Sequence, residues 1–317
     1  MNKKTKLFQN PFFVAIGALL CCALWGSATP FIKTGYQLIL KTPSPNVPST
    51  ILFAGCRFLL AGFLTILIYS IARRKFLFPK KENLGKVAIM SVFQTTLQYT
   101  FFYIGLANTS GVKGTVLSAS NAFFCLLIAS LLFRQEKLSF KKIFACILGF
   151  GGIILVNLNG LDFNMNFLGD GFVIFSAISA AAASVLIKRY GKDEDSVVLS
   201  GYQFMLGGLV LIAAGLLFGG TMSFDSLAGV GVLVYLALLS AIAFALWGVL
   251  LTHNPVSKVT IYHFTVPVFG VILSKIMLTE QSRVSTLNLL LTLLLVCAGI
   301  ILLNFKKEEK THGQEKL

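Results

Sequence analysis

The stretch ILFAGCRFLLAGFLTILIYSIA, residues 51–72, carries one charge, Arg57, and stops at Arg73-Arg74-Lys75. A helix rises 1.5 Å per residue, so about 20 apolar residues cover a hydrocarbon core of about 30 Å. Nine further runs of this kind lie around it, at 12–32, 85–107, 112–133, 140–158, 168–188, 199–218, 229–251, 258–278 and 285–305. In lipid the backbone must satisfy its own polar groups, which leaves helices or closed barrels. Runs of this length are twice what a barrel strand needs. The sequence therefore predicts an all-α integral membrane protein with ten transmembrane helices.

Composition agrees. Of 317 residues, 56% are hydrophobic and 12% charged, half the charge a soluble domain carries. The net charge of +15 sits in short basic clusters between apolar runs, a pattern of loops at a membrane face that argues against nucleic acid as a partner. With the N-terminus inside, the cytoplasmic segments hold 21 Lys and Arg and the outer ones only Lys33, Lys41, Lys113 and Arg283. Both termini are expected in the cytoplasm, with tails at 1–11 and 306–317. Lys3, Lys4 and Lys6 precede an apolar run too long for a signal peptide, with no small-x-small cleavage site after it. The six cysteines all lie inside apolar runs without ligand spacing, so neither disulfides nor a metal are expected.

The two halves share landmarks in order. Gly152-Ile153-Ile154-Leu155-Val156-Asn157 closes span five and Gly299-Ile300-Ile301-Leu302-Leu303-Asn304 closes span ten. Span two opens with Ala54-Gly55-Cys56-Arg57-Phe58, span seven with Ser200-Gly201-Tyr202-Gln203-Phe204. Glu136 follows span four and Glu280 follows span nine. Residues 12–158 and 168–305 thus read as two copies of one unit. Five spans is an odd number, so the second copy enters the membrane from the opposite side, the inverted-repeat design of secondary transporters.

Leu24-Trp25-Gly26-Ser27 with Phe31-Ile32-Lys33, Cys56-Arg57-Phe58-Leu59-Leu60-Ala61-Gly62, the two glutamates and the Gly-Ile-Ile-Leu endings resemble the drug/metabolite transporter superfamily. Within it, the chain resembles the EamA-type ten-span transporters. That resemblance implies two five-span repeats and export of amino acids, other metabolites or drugs, without a cofactor. It also implies a proline in the middle of each span that precedes a glutamate. Pro267 supplies it in span nine, 13 residues before Glu280, whereas span four has Phe123 there and no proline break.

Polar groups within spans are expected to face protein or a water-filled cavity. Arg57 reads either as a contact for a substrate carboxylate or phosphate or as a structural pin. Ser91, Gln94 and Gln98 follow at i, i+3 and i+7, beside Tyr99 and Tyr103; Ser118, Asn121 and Cys125 repeat that spacing in span four. These suit a cavity for a polar solute or hydrogen bonding between helices. His263, Pro267, Gly270 and Ser274 form a stripe in span nine, with Lys275 near its outer end. There His263 is a proton relay or a packing residue. Trp25, Trp247, Tyr202, Gln203 and Tyr262 complete the candidate lining or serve as interfacial anchors.

The carboxylates lie in or beside loops (Asp162, Asp170, Asp225, Asp193, Glu194, Asp195) or at span ends (Glu136, Glu280), so a buried carboxylate proton relay is not expected, and no GxxxxGK[ST] occurs, so neither is ATP-driven transport. The expected function is secondary transport of a small polar metabolite, amino-acid-like and moved outward across the cytoplasmic membrane by alternating access. Efflux of cationic drugs is the alternative. An integral-membrane enzyme comes third, because three histidines, one in the tail at His312, provide no acid/base or metal cluster. The chain's partners are then its substrate and the lipid bilayer, as a monomer or homodimer.

Overall fold

The computed structural model describes residues 7–42, 45–158, 164–277 and 286–304, apart from the side chains of 156, 274–277 and 286. Glu280, Arg283, the side chain of Lys275 and most of both tails lie outside these residues. Every regular element among them is helical: α1 (Pro11–Ile39), α2 (Val47–Arg73), α3 (84–107), α4 (Gly111–Leu132), α5 (Phe140–Asn157), α6 (Phe167–Tyr190), α7 (Ser196–Leu217), α8 (Leu227–His253), α9 (256–277) and α10 (Thr286–Asn304). Among the described residues, eight helices are long and apolar enough to cross a membrane, and α3 and α5 are not of that set. α3 carries Gln94, Thr95, Thr96 and Gln98 at its centre, and α5 opens on Lys141-Lys142. Large apolar side chains such as Phe63, Leu209, Leu216, Leu290 and Leu294 point outward, as they must where the surroundings are hydrocarbon. This is a multi-pass membrane protein.

Helix starts follow local chemistry. Asn10 accepts from Phe12 N (2.9 Å) ahead of Pro11 at the first helical position, Asn46 from Ser49 N, and Asp195 from Val197 N. α9 begins after Pro255 with no cap of its own. Glu136, in the turn after α4, replaces it: Oε1 accepts from Ser257 N (3.1 Å) and Oε2 from Ser257 Oγ (2.8 Å) and Lys142 Nζ (3.1 Å).

Packing is reciprocal between the halves. α1 packs on α8 and α9; α6 packs on α3 and α4; α2 lies along α7 and α5 along α10. Adding five to each helix of the first half returns the same set of pairs. The α2–α7 crossing is backbone on backbone. A methyl placed on Gly62 would lie 2.5 Å from the Gly201 carbonyl oxygen, and one on Gly208 would lie 2.5 Å from Leu59 N and 2.9 Å from the Gly55 oxygen. Only glycine permits this approach.

The expected contrast between spans four and nine does not hold. α9 relaxes into a 3-10 turn at Ile261–Thr265, where Pro267 crowds the carbonyl four residues earlier. α4 also breaks, at Ser120 between Gly111–Ala119 and Asn121–Leu127. Ser120 Oγ donates to the Leu117 carbonyl (2.5 Å), a back-bond that competes with the helix ladder. Ser120 stands 16 residues before Glu136, and Phe264, inside the 3-10 turn, 16 before Glu280. Both helices are interrupted at matching places by different side chains.

Candidate functional site

In the interior, residues far apart in sequence converge. The Trp25 ring of α1 meets Trp247 (5.0 Å between centroids) and Phe244 (5.1 Å) of α8 and His263 (5.5 Å) of α9. From Phe244 the rings continue through Phe204 (4.9 Å) and Phe58 (5.1 Å) to Tyr99 (4.3 Å) and Tyr103. Both halves contribute, and the two tryptophans are the protein's only ones.

Arg57 lies beside this chain, its guanidinium carbon 5.0 Å from the Phe58 centroid, and is 3% exposed. Its Nε donates to Ser240 Oγ (3.1 Å) and the Leu236 carbonyl (3.3 Å), and Nη2 to Ser240 Oγ (2.9 Å). Ser240 Oγ in turn donates to the Leu236 carbonyl (2.8 Å), which fixes it as the acceptor for Arg57. Tyr36, Tyr99 and Tyr103 lie within electrostatic range of the guanidinium. Among the described residues no carboxylate pairs with it. The ion pairs there are Lys41–Asp225, Arg73–Asp195, Lys86–Asp193, Lys113–Asp170 and Lys142–Glu136.

Other predicted lining residues go to different places. Gln94 lies within a π turn, Val92–Leu97, that interrupts α3, and Gln98 follows directly. Their Oε1 atoms are buried without a hydrogen-bond partner, as is Trp25 Nε1. Gln203 accepts from Thr95 Oγ1 (2.7 Å), and its Nε2 is buried and unpartnered. Such atoms cost free energy unless water or a ligand meets them, so Gln94 and Gln98 at the π turn and Gln203 on α7 bring three neutral amides to the interior. Asn121 instead donates to the Ala177 carbonyl (3.1 Å), pinning α4 to α6. Tyr202 donates to the Leu77 carbonyl (2.9 Å) and so holds the α2–α3 turn. Tyr262 is buried in the core, its carbonyl accepting from Cys22 Sγ. Ser118 is half-buried on α4, with no contact that brings it to the aromatic chain.

Sequence reasoning passed over Tyr36, Ser240 and Phe244. Ser240 is a polar residue in a strongly apolar helix, and that was its available signal. It also passed over a buried ion pair: Asp170, fully buried at the start of α6, accepts from Lys113 Nζ (2.6 Å), Thr109 Oγ1 (2.5 Å) and Asn166 N (2.8 Å). At the end bearing the turns 74–83 and 191–195, Lys86 contacts Asp193 (2.5 Å), while Lys80 N (2.8 Å) and Asn83 Nδ2 (3.1 Å) donate to Glu194. The Lys86 ammonium holds the Asp193 carboxyl below its ordinary range. For Glu194, partial burial pushes upward, but the donors at Lys80 and Asn83 prevail and the carboxyl is also lowered.

The EamA-like transporter family matches this chain twice, over residues 12–158 and 167–305. Uncharacterized transporter YvbV of Bacillus subtilis (strain 168) is 29% identical over 90% of this chain and 89% of its own length. Uncharacterized transporter YoaV of the same organism is 25% identical over 92% and 97%. The WAT1-related protein At3g02690, chloroplastic, of Arabidopsis thaliana is 23% identical over 80% of this chain and 63% of its own. A solved crystal structure superposes with a TM-score of 0.75 over 92% of this chain and 96% of that one, at 15% identity, a likeness of fold alone. The chain belongs to the EamA-like transporter family.

Proposed function

We propose that this membrane transporter is a secondary carrier that moves a small polar, amino-acid-like metabolite across the cytoplasmic membrane by alternating access. Ten spans form two five-helix units related by a pseudo-two-fold axis in the membrane plane, with both termini cytoplasmic. The reciprocal helix pairs and the glycine crossing of α2 on α7 support that symmetry. The excess of Lys and Arg in alternate turns supports the orientation. Export is the direction that the family likeness favours.

The observation that carries the reading is the meeting of Trp25, Trp247 and His263 from three helices of both halves, with Arg57 of α2 bonded to Ser240 of α8 and joined to them through Phe58, Phe204 and Phe244. A site built between inverted repeats opens to either face when one half rocks against the other. Cation efflux would call for a carboxylate here; among the described residues none pairs with Arg57, and Asp170 and Glu136 are already held by Lys113 and Lys142. A metal-dependent enzyme would need a cluster of ligating groups, and among the described residues no three of His, Cys, Asp and Glu are placed to hold a metal ion.

The test is solute flux into proteoliposomes that contain only this protein, across amino acids, nucleosides and cationic drugs. Arg57→Ala and Gln98→Ala should lower flux while folded protein stays in the membrane. No flux across the panel counts against the carrier, and normal flux in both variants counts against the site.

A further inference from the structure

We propose that the species held at Arg57 is a small organic or inorganic anion, and that the protein works as an exchanger of one anion for another. The proposal rests on the carrier function above and adds to it the charge class of the solute and the coupling.

A guanidinium keeps its charge in proteins and presents five N–H donors in a planar fork. At Arg57, Nε and one N–H of Nη2 are committed to Ser240 and Leu236, while Nη1 makes no hydrogen bond among the described residues. The fork is therefore anchored by one edge, with the other edge unspent. Its polar surroundings are the phenols of Tyr36, Tyr99 and Tyr103, whose O–H groups can donate to an anion's remaining lone pairs. A carboxylate or phosphate completes such a site with two parallel hydrogen bonds. A cation meets like charge and, among the described residues, no acid. Among amino-acid-like solutes the site therefore selects those with net negative charge; a zwitterion without one brings an ammonium that no carboxylate among the described residues offsets.

Coupling follows from the same charge. An ion out of water is costly unless it is paired. To reorient, the carrier must enclose its site both when loaded and when empty. Loaded with a monoanion, the enclosed site is neutral; empty, it encloses the bare charge of Arg57. The empty crossing is thus the slow one, and an anion waiting on the far side relieves it. Exchange outruns net movement.

The two tryptophans report on the site without a label, because their rings join through Phe244, Phe204 and Phe58 to Arg57. The full-length protein in lipid nanodiscs is titrated with inorganic phosphate, L-glutamate and benzenesulfonate, and with L-glutamine and tetraphenylphosphonium as neutral-overall and cationic counterparts. At least one anion should change the fluorescence saturably, while glutamine and the cation do not. Affinity should fall at least about tenfold in Arg57→Gln, the loss of one charge-assisted pair. Ser240→Ala, which keeps the charge but frees the fork, should weaken the same anion several-fold and serves if Arg57→Gln does not fold. In vesicles loaded with that anion in labelled form, efflux should be at least about tenfold faster when the anion is also outside. A saturable response confined to glutamine or the cation, no response to any anion, or wild-type affinity in both variants overturns the anion assignment. Efflux unchanged by external anion overturns the exchange. Flux of a neutral or cationic solute would leave the carrier standing while this proposal fell, and absence of flux for every solute would strike the carrier itself.

Discussion

Gly62→Ala tests the crossing of α2 on α7 and the symmetry together. The added methyl would sit 2.5 Å from the Gly201 oxygen and 2.7 Å from Met205 N, against about 3.4 Å for an ordinary contact. Besides the Met205 Cγ, these two obstructing atoms are backbone and cannot rotate aside, so the helices must part by about 0.9 Å along their shared seam. Overpacking of this kind costs about 1–3 kcal/mol. Alanine is the better helix former by up to about 1 kcal/mol, so the net loss should be about 1–2 kcal/mol. Gly208 is the counterpart of Gly62 at the same offset that relates Gly55 to Gly201 (208 − 62 = 201 − 55 = 146). Its methyl meets Leu59 N at 2.5 Å, again backbone, so Gly208→Ala should cost the same to within about 0.5 kcal/mol. Gly201→Ala should cost less, since its 2.5 Å neighbour is the mobile end of Ile66. Gly151→Ala and Gly231→Ala, with nothing within 4 Å, should be neutral or slightly stabilising. Reversible unfolding of the purified protein in mixed micelles, followed by circular dichroism, measures all five. Neutral Gly62→Ala and Gly208→Ala would refute the close crossing. A large loss in one and none in the other would refute the two-fold equivalence.

Glu136→Gln removes the charge that meets Lys142 and weakens the cap on Ser257; with side-chain exposures of 7% and 17% in the ion pair, it should destabilise by about 1–3 kcal/mol. Asp225→Asn, in a pair exposed at 61% and 75%, should leave the unfolding midpoint unchanged, and equal effects in the two variants would refute the argument from burial. Asp193 and Glu194 have lowered folded-state values, so the stabilisation they lend the 74–83 turn is present at neutral pH and lost as pH falls below the ordinary carboxylate range, about 4. Hydrogen-exchange protection of residues 74–83, corrected for intrinsic rates, should hold between about pH 8 and 6 and drop between about pH 4 and 3. Protection that falls above about pH 5 would point to another group.

Membrane insertion was legible because its signals are one-dimensional: apolar length sets the spans, and Lys and Arg counts between them imply an orientation. The repeat was legible through landmarks such as Glu136 and Glu280, whose spacing survives duplication. The Gln94–Gln98 stripe was harder to read, because a period of 3.6 residues assumes an unbroken α-helix. The π turn at Val92–Leu97 inserts a wider turn into that register, leaving Gln94 and Gln98 buried with unpartnered oxygens. Pro267 announced the irregularity in α9, whereas Ser120 produces one in α4 through a hydrogen bond that many helical serines make without breaking the ladder. Pairing across 183 residues had no signal of its own. Ser240 reads in sequence as one more small residue in a tightly packed helix, and Arg57 reads equally as pin or as ligand contact. Their geometry shows the pin, and the ligand contact proposed above is compatible with it. Ser240 pins one edge of the guanidinium, and that pin leaves the opposite edge for the anion proposed above.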